Sequence, residues 1–234
     1  MGSIFDKNIT DVFFDLDHTL WDFDKNSEYT FRFIFDNEKI NLSLKLFLPI
    51  YNSNNHYFWS LYRQDKISYE ELRIIRLKKS FSDLKFKVSN KKIEKISEIY
   101  FKNLITFNFL MKDSIKLLKK LKKKYNLHII TNGFDKVQNK KINNSSLSFF
   151  FNSITTAEEA GFKKPNIEIF NFAMARANTK PSNSLMIGDS FDSDIIGSLN
   201  AGMEAIHFNS HAENDHNYCL VVESLSQLIE LIDN

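Results

Sequence analysis

Cysteine is almost missing from this chain: Cys219 stands alone among 234 residues. An internal disulfide is therefore excluded, and a reducing compartment fits. Three prolines and six glycines stand against 23 phenylalanines, a bias that reads as an AT-rich coding sequence and not as a function. There are no internal repeats and no low-complexity tracts. Excess charge is missing too: the net value of +2 points to no particular partner. Lysines do cluster at Lys119, Lys120, Lys122, Lys123 and Lys124. They read as the wet face of a helix whose apolar stripe is Ile115, Leu117, Leu118 and Leu121. No aromatic residues alternate with them to make a stacking platform, so no nucleic-acid partner is expected. No apolar run is long enough to span a bilayer, and no membrane partner is expected. Residues 1–10 carry Asp6 and Lys7 without an apolar segment, so no secretory signal is expected. Gly2 does not complete a myristoylation motif, because Asp6 stands where Ser or Thr is needed. A cytoplasmic location is the expectation. What is present is ordinary: 43% hydrophobic and 26% charged residues suit one large globular domain, or a domain with an insert.

The chain changes rhythm twice. Val12-Phe13-Phe14 reads as a short buried strand, part of one spanning 11–15. From Asn26 to about Thr106 strand signals and glycines nearly vanish, and Pro49 is the only proline. Segments 27–38, 43–62, 68–82 and 90–107 carry apolar residues at helical spacing, clearest in Ile93, Ile96, Tyr100 and Leu104. Ser68 followed by Glu71 resembles a capping box. From Asp113 onward helices near 113–124, 135–143, 166–177, 192–200 and 224–232 alternate with strands near 127–130, 153–155, 184–187, 205–207 and 220–222. Such αβ units predict a mainly parallel sheet covered on both faces. The expected fold is α/β, a Rossmann-like three-layer αβα core with an inserted helical bundle. The core is expected over 1–21 and 108–234, the insert over 22–107.

Ligands of open α/β sheets bind beyond the carboxyl ends of strands. Four polar clusters fall there. Asp15-Leu16-Asp17-His18-Thr19 follows the first strand and offers two acids, though acids at strand ends also serve as turn residues or helix caps. Thr131-Asn132-Gly133 can cradle a phosphate with a hydroxyl and backbone N–H groups, or simply cap a helix. In Gly161-Phe162-Lys163-Lys164-Pro165, Lys164 can offer an ammonium to a phosphoryl oxygen and a carboxylate. It can equally be a surface lysine before a proline at a helix start, and Lys163 is expected to be solvated. Gly188-Asp189-Ser190-Phe191-Asp192-Ser193-Asp194 can bind Mg²⁺, or favour a helix dipole through Asp192 and Asp194. Taken together and in order, the clusters supply what phosphoryl transfer needs.

These motifs resemble the haloacid dehalogenase superfamily over essentially the whole chain, and the insert resembles its helical C1 cap. The resemblance implies that Asp15 attacks phosphorus to form an aspartyl-phosphate, and that Asp17 protonates the leaving oxygen and then activates water. It implies Mg²⁺ held by Asp15, the Asp17 backbone carbonyl and Asp189, with Thr131, Asn132 and Lys164 on the phosphoryl group. Thr19 and Asp194 would support that site, Asp194 near the metal or orienting Lys164. An acid at Asp17 favours phosphate esters, since the superfamily's dehalogenases lack one there.

A narrower resemblance is to the noncanonical pyrimidine 5′-nucleotidases. It rests on residues 17–27, Ile129-Ile130-Thr131-Asn132-Gly133-Phe134, His207-Phe208-Asn209, and the stretch from Trp59 through Tyr62 and 67–73 to Arg76. It implies a small phosphorylated metabolite, a nucleoside monophosphate, as partner. Alternatives are a sugar-phosphate or phosphoglycolate phosphatase or phosphomutase of the same fold, or a non-catalytic binding protein with a vestigial site. Asn166-Ile167, where the superfamily commonly has an acid and a Pro or Ala, is expected to alter helix capping more than chemistry. Trp21, Phe23 and Phe134 are candidates for stacking on a base, with core packing as the competing role; Trp59, Tyr62 and Arg76 are undecided in the same way. His207, His211 and His216 lack zinc spacing and read as loop residues. His18 is expected to point away from the acids. A monomer or homodimer is expected.

Overall fold

The computed structural model describes residues 8–214 and 216–233. The readings made at Gly2, Asp6 and Lys7 lie outside them. The chain divides into two compact units: one holds the chain up to Asp22 with Phe109–Asn234, the other Phe23–Asn108. The cuts fall one residue later than expected from sequence, because Asp22 N–H still donates to the Phe109 carbonyl at 3.1 Å.

The first unit is a Rossmann-like α/β core. Its strands are β1 (Asp11–Phe14), β2 (Asn126–Thr131), β3 (Ser153–Thr156), β4 (Ser184–Gly188), β5 (Glu204–Phe208) and β6 (Leu220–Val222). All pairings are parallel, in the order β3-β2-β1-β4-β5-β6. The chain therefore builds outward from β1 on one side and then, from β4, on the other. The β1/β4 junction is the switch point where such sheets leave a crevice. All four residues of β1 are buried, as a central parallel strand covered on both faces requires. Phe13 faces Ile130, Met186 and the apolar side of a helix carrying Ile169, Phe170, Ala173 and Met174. Phe14 points the other way and meets Phe151 edge-on at 6.3 Å.

The second unit is a helical bundle of α1 (Phe23–Asn37), α2 (Leu44–Arg63), α3 (Tyr69–Asp83) and α4 (Asn90–Leu104). Helix α1 starts four residues before the sequence pattern suggested. Its first turn buries Phe23 together with the polar Asn26 and Ser27, so apolar periodicity under-reads it. Ser68 and Glu71 form the capping box that starts α3. Ile93, Ile96, Tyr100 and Leu104 are all buried. Phe31, Phe47, Tyr51, Phe81 and Tyr100 form the aromatic centre, with Phe31–Tyr51 centroids 4.4 Å apart. Among the described residues no helix is long and apolar enough to cross a membrane.

The remaining helices are α5 (Ser114–Leu121), α6 (Asp135–Asn144), α7 (Ala157–Ala160), α8 (Ile167–Ala177), α9 (Gly197–Asn200) and α10 (Leu225–Asp233). The segment read as a helix over 192–200 instead opens with a wide π-type turn, Phe191–Ile196.

A polar chain ties the amino ends of the first strands. His128 Nδ1 lies 2.7 Å from Ser153 Oγ, and its Nε2 lies 3.1 Å from Asp11 Oδ1. Burial holds the imidazole below its ordinary value despite the carboxylate. Burial alone would raise Asp11, but hydrogen bonds from Thr10, Thr179, His128 and Asn126 together bring it below the usual range. The sign follows: the unfolded chain binds protons that the folded chain refuses. Stability from His128 is therefore complete above its unfolded value of 6.5 and is lost as pH falls toward the folded one. Asp11 repeats this below 3.8. In urea melts between about pH 7 and pH 5, His128→Gln should flatten the fall in stability; an unchanged slope would show that His128 does not cause it.

Candidate active site

Three strand ends meet at the switch point. Asp15 follows β1, its N–H bonded to the Ile187 carbonyl of β4 at 3.0 Å. Asp189 follows the end of β4, and Thr131 ends β2. Lys164 arrives from the loop after α7 and is 1% exposed. Its Nζ lies 2.6 Å from Asp15 Oδ1 and 2.6 Å from Asp194 Oδ1, and donates to the Ile130 carbonyl at 2.7 Å. Asn132 fixes this lysine by its backbone: Asn132 Nδ2 donates to the Lys164 carbonyl at 2.9 Å, and Oδ1 accepts its N–H at 2.8 Å. The Asn132 side chain thus has a bracing role that its place in a phosphate-cradle motif did not suggest. Lys163, expected to be solvated, is half-buried. Pro165 precedes the helix start; Asn166 is the cap of α8 and accepts from Glu168 N–H at 3.0 Å.

Asp194 reaches the lysine because the turn after β4 is wide. Its Oδ2 accepts the Ser190 N–H at 3.1 Å. Gly188 leaves the space this carboxylate occupies; a β-carbon there would collide with it. Thr19 is buried and donates to Asp189 Oδ1 at 3.1 Å.

Ligand atoms of Asp15, Asp189 and Asp194 all lie within 4.8 Å of one another. Three carboxylates face one ammonium, so the site carries more negative charge than its own cation balances. Burial pushes Asp15 well up, Asp194 and Asp189 add to this, and Lys164 opposes them. Asp194 is raised in the same way. Burial would also raise Asp189, but His211, His18 and Lys164 outweigh it and hold it low. Lys164 is held firmly charged: the pull of Asp15 and Asp194 exceeds the cost of its burial. A hard divalent cation suits such a set of oxygens.

Asp17 is separate from this group. Lys141 Nζ lies 2.6 Å from its Oδ1 and 2.9 Å from its Oδ2, and Gln138 Nε2 donates to Oδ2 at 2.9 Å. Gln138 also donates to Thr131 Oγ1 at 2.7 Å. Sequence reasoning missed both residues of α6. The signal was there: α6 has few apolar residues, and Gln138 and Lys141 share the face of its buried Ile142.

The histidines are placed differently from expectation. His207 is not a loop residue; it lies fully buried on β5, 2.9 Å from His216 Nε2 and from the Asp189 carbonyl. His211 Nδ1 is 3.6 Å from Asp189 Oδ2, and the His18 ring stacks edge-on against His211 at 4.5 Å. His18 takes φ 65°, and its charge acts on Asp189. Trp21, Phe23 and Phe134 are buried. Trp59 and Tyr62 are half-buried on α2. Arg76 is buried inside the helical unit, over the rings of Tyr51, Tyr100 and Phe101, donating to Asn55 Oδ1 at 2.5 Å. There it is a packing residue of the bundle.

Removing the buried ammonium leaves its carboxylates facing each other. Lys164→Met should lower unfolding stability by about 3–5 kcal/mol in denaturant melts, and Asp194→Asn in the same chain should restore part of it. Undiminished stability of the single variant would contradict this charge balance.

Comparison with known proteins agrees with the geometry. A family model of haloacid dehalogenase-like hydrolases matches residues 11–202. The chain is 41% identical over 118 residues to glyceraldehyde 3-phosphate phosphatase of Methanothermobacter thermautotrophicus. That match spans 47% of this chain and about half, 52%, of that enzyme's length. It is 28% identical over 221 residues to pyrimidine 5′-nucleotidase YjjG of Escherichia coli, covering 94% of this chain and 95% of that one. Among solved structures it resembles the HAD-hydrolase YfnB of Bacillus subtilis bound to magnesium, with a TM-score of 0.85, 24% identity, and 97% and 99% of the two chains covered. With the match running from β1 past α9, the chain belongs to the haloacid dehalogenase-like hydrolases.

Proposed function

We propose that this chain is a Mg²⁺-dependent phosphomonoester hydrolase that works through an aspartyl-phosphate, with nucleoside 5′-monophosphates, pyrimidines first, as its substrates. One observation carries the reading: two acids two residues apart each meet a different buried lysine, Asp15 with Lys164 and Asp17 with Lys141. Such an arrangement gives two adjacent carboxyls separate tasks. Asp15 is the nucleophile; its oxygen bonds to phosphorus as the bond to the ester oxygen breaks. Asp17 gives its proton to that departing oxygen, then takes one from the water that attacks the aspartyl-phosphate. Lys164, Thr131 and the Asn132 backbone hold the phosphoryl oxygens, where they neutralise and orient charge. Asp15, Asp189 and the Asp17 carbonyl hold Mg²⁺, with Thr19 and Asp194 supporting them. Bound there, the cation neutralises phosphoryl charge and keeps Asp15 ionised.

Asp17 separates this chemistry from dehalogenation, where a halide needs no proton. The nucleotide reading rests on the nucleotidase relative, whose match spans 94% of this chain. A sugar- or triose-phosphate substrate is the second reading, favoured by the higher identity, 41%, over the shorter stretch.

Purified protein should hydrolyse p-nitrophenyl phosphate with Mg²⁺ and stop with EDTA. Asp15→Asn should abolish turnover while circular dichroism stays unchanged; wild-type turnover in that variant would remove Asp15 as nucleophile. Across a panel of nucleoside monophosphates and sugar phosphates, UMP, dUMP and dTMP should give the highest kcat/KM. Higher values for glyceraldehyde 3-phosphate or hexose phosphates would favour the second reading instead.

A further inference from the structure

Asp17 is held more tightly than a lone acid at a strand end needs to be. Its Oδ2 accepts from both Gln138 and Lys141, each at 2.9 Å, while Oδ1 is met by Lys141 alone at 2.6 Å. The two donors are themselves fixed. Gln138 is fully buried and spans to Thr131 Oγ1 at 2.7 Å. Gly133 leaves room for it, since a β-carbon there would strike the Gln138 side chain. Lys141 is 2% exposed, and its Nζ lies 4.4 Å from the centre of the Trp21 ring. The indole belongs to the tight turn that follows Asp17, where His18 N–H bonds to the Trp21 carbonyl at 2.8 Å. The ammonium is thus seated between the acid and the turn that carries it.

We propose that Lys141 is a positioning residue of this hydrolase: bridging both oxygens of the Asp17 carboxyl, with Gln138 as a second donor to Oδ2, it fixes the plane and place of that carboxyl relative to the ester oxygen. This rests on the reading of Asp17 given above and adds a residue to it. Helix α6 supplies both donors at i and i+3, so one helix face sets the carboxyl's orientation. The Trp21 ring gives the ammonium a second attraction and limits where it can move. Through Gln138 the same helix also fixes the Thr131 hydroxyl, so the proton donor and the phosphate-holding group keep a constant relation.

The consequence is a dependence on the leaving group. Phenyl phosphate and p-nitrophenyl phosphate differ by one nitro group, but phenolate needs a proton on departure far more than p-nitrophenolate does. The ratio of their kcat/KM values, measured with Mg²⁺, isolates the first half-reaction. In Lys141→Met the phenyl to p-nitrophenyl ratio should fall roughly tenfold to hundredfold, a part of the roughly 10²–10⁴-fold that general acids contribute. Lys141→Arg, which keeps the cation, should recover most of the ratio. Gln138→Met should lower it in the same direction and serves as the test should Lys141→Met fail to fold. Equal loss on both esters would mark Lys141 as structural only and overturn the proposal. A wild-type protein that cleaves neither ester would instead overturn the hydrolase reading, and this proposal with it.

Discussion

The Lys164 ammonium is the contact on which the site depends. It is buried, it touches two carboxylates at 2.6 Å, and a third lies in the same cluster. Leaving a charge unpaired in such surroundings costs several kcal/mol, so the fold has to deliver the lysine and the acids to the same place. Their sources are far apart in sequence: Asp15 comes from the first strand, Lys164 from a loop after the third, and Asp194 from the turn after the fourth. The sheet order explains how they meet. Because β2 and β4 flank β1 on opposite sides, loops from both halves converge at the carboxyl end of β1.

The second layer of constraint is backbone, not charge. Asn132 grips both polar backbone groups of Lys164, so the loop after α7 is locked to the end of β2. Ser190 N–H grips Asp194, locking the turn after β4. These contacts hold the charged groups close with the side chains already ordered, which lowers the entropy left to lose when a substrate binds. The two glycines at this end act by close approach. Gly188 makes room for Asp194, and Gly133 makes room for Gln138.

Much of this was legible in the sequence, and the rest was hidden for identifiable reasons. The strands announced themselves because each is an apolar run followed by a polar cluster. The placing of Asp15, Asp17, Thr131, Lys164, Asp189 and Asp194 near the carboxyl end of the sheet was legible because each belongs to a polar cluster that follows a strand signal or precedes a helix. Lys141 and Gln138 were not, since a lysine and a glutamine on a polar helix ordinarily face water. Only the fold shows that α6 turns this face inward toward Asp17 and Thr131. His207 is the opposite case: a histidine without metal spacing reads as a loop residue, yet it lies in the apolar run of β5 and is buried there. The start of α1 was read late because it buries Asn26 and Ser27 as well as apolar residues, and hydropathy is blind to that.

The two acids at the end of β1 show how neighbouring carboxyls become chemically distinct. A strand sends alternate side chains to opposite faces, so residues two apart would share surroundings if β1 simply continued past Asp15. It does not continue. The chain enters a tight turn in which His18 takes φ 65° and Trp21 N–H returns to the Leu16 carbonyl at 2.8 Å. Asp17 therefore leaves the line of the strand and meets α6, while Asp15 stays at the sheet and meets Lys164. Asp15 sits in a cluster whose like charges and burial press against its ionisation. Asp17 is clear of that cluster, with its own ammonium and amide. A carboxyl pressed by like charges and held by one lysine, beside a second carboxyl held by another lysine and an amide, is a division made by the turn. It follows that the residues from Leu16 to Trp21, by closing this turn, decide which neighbours each carboxyl meets.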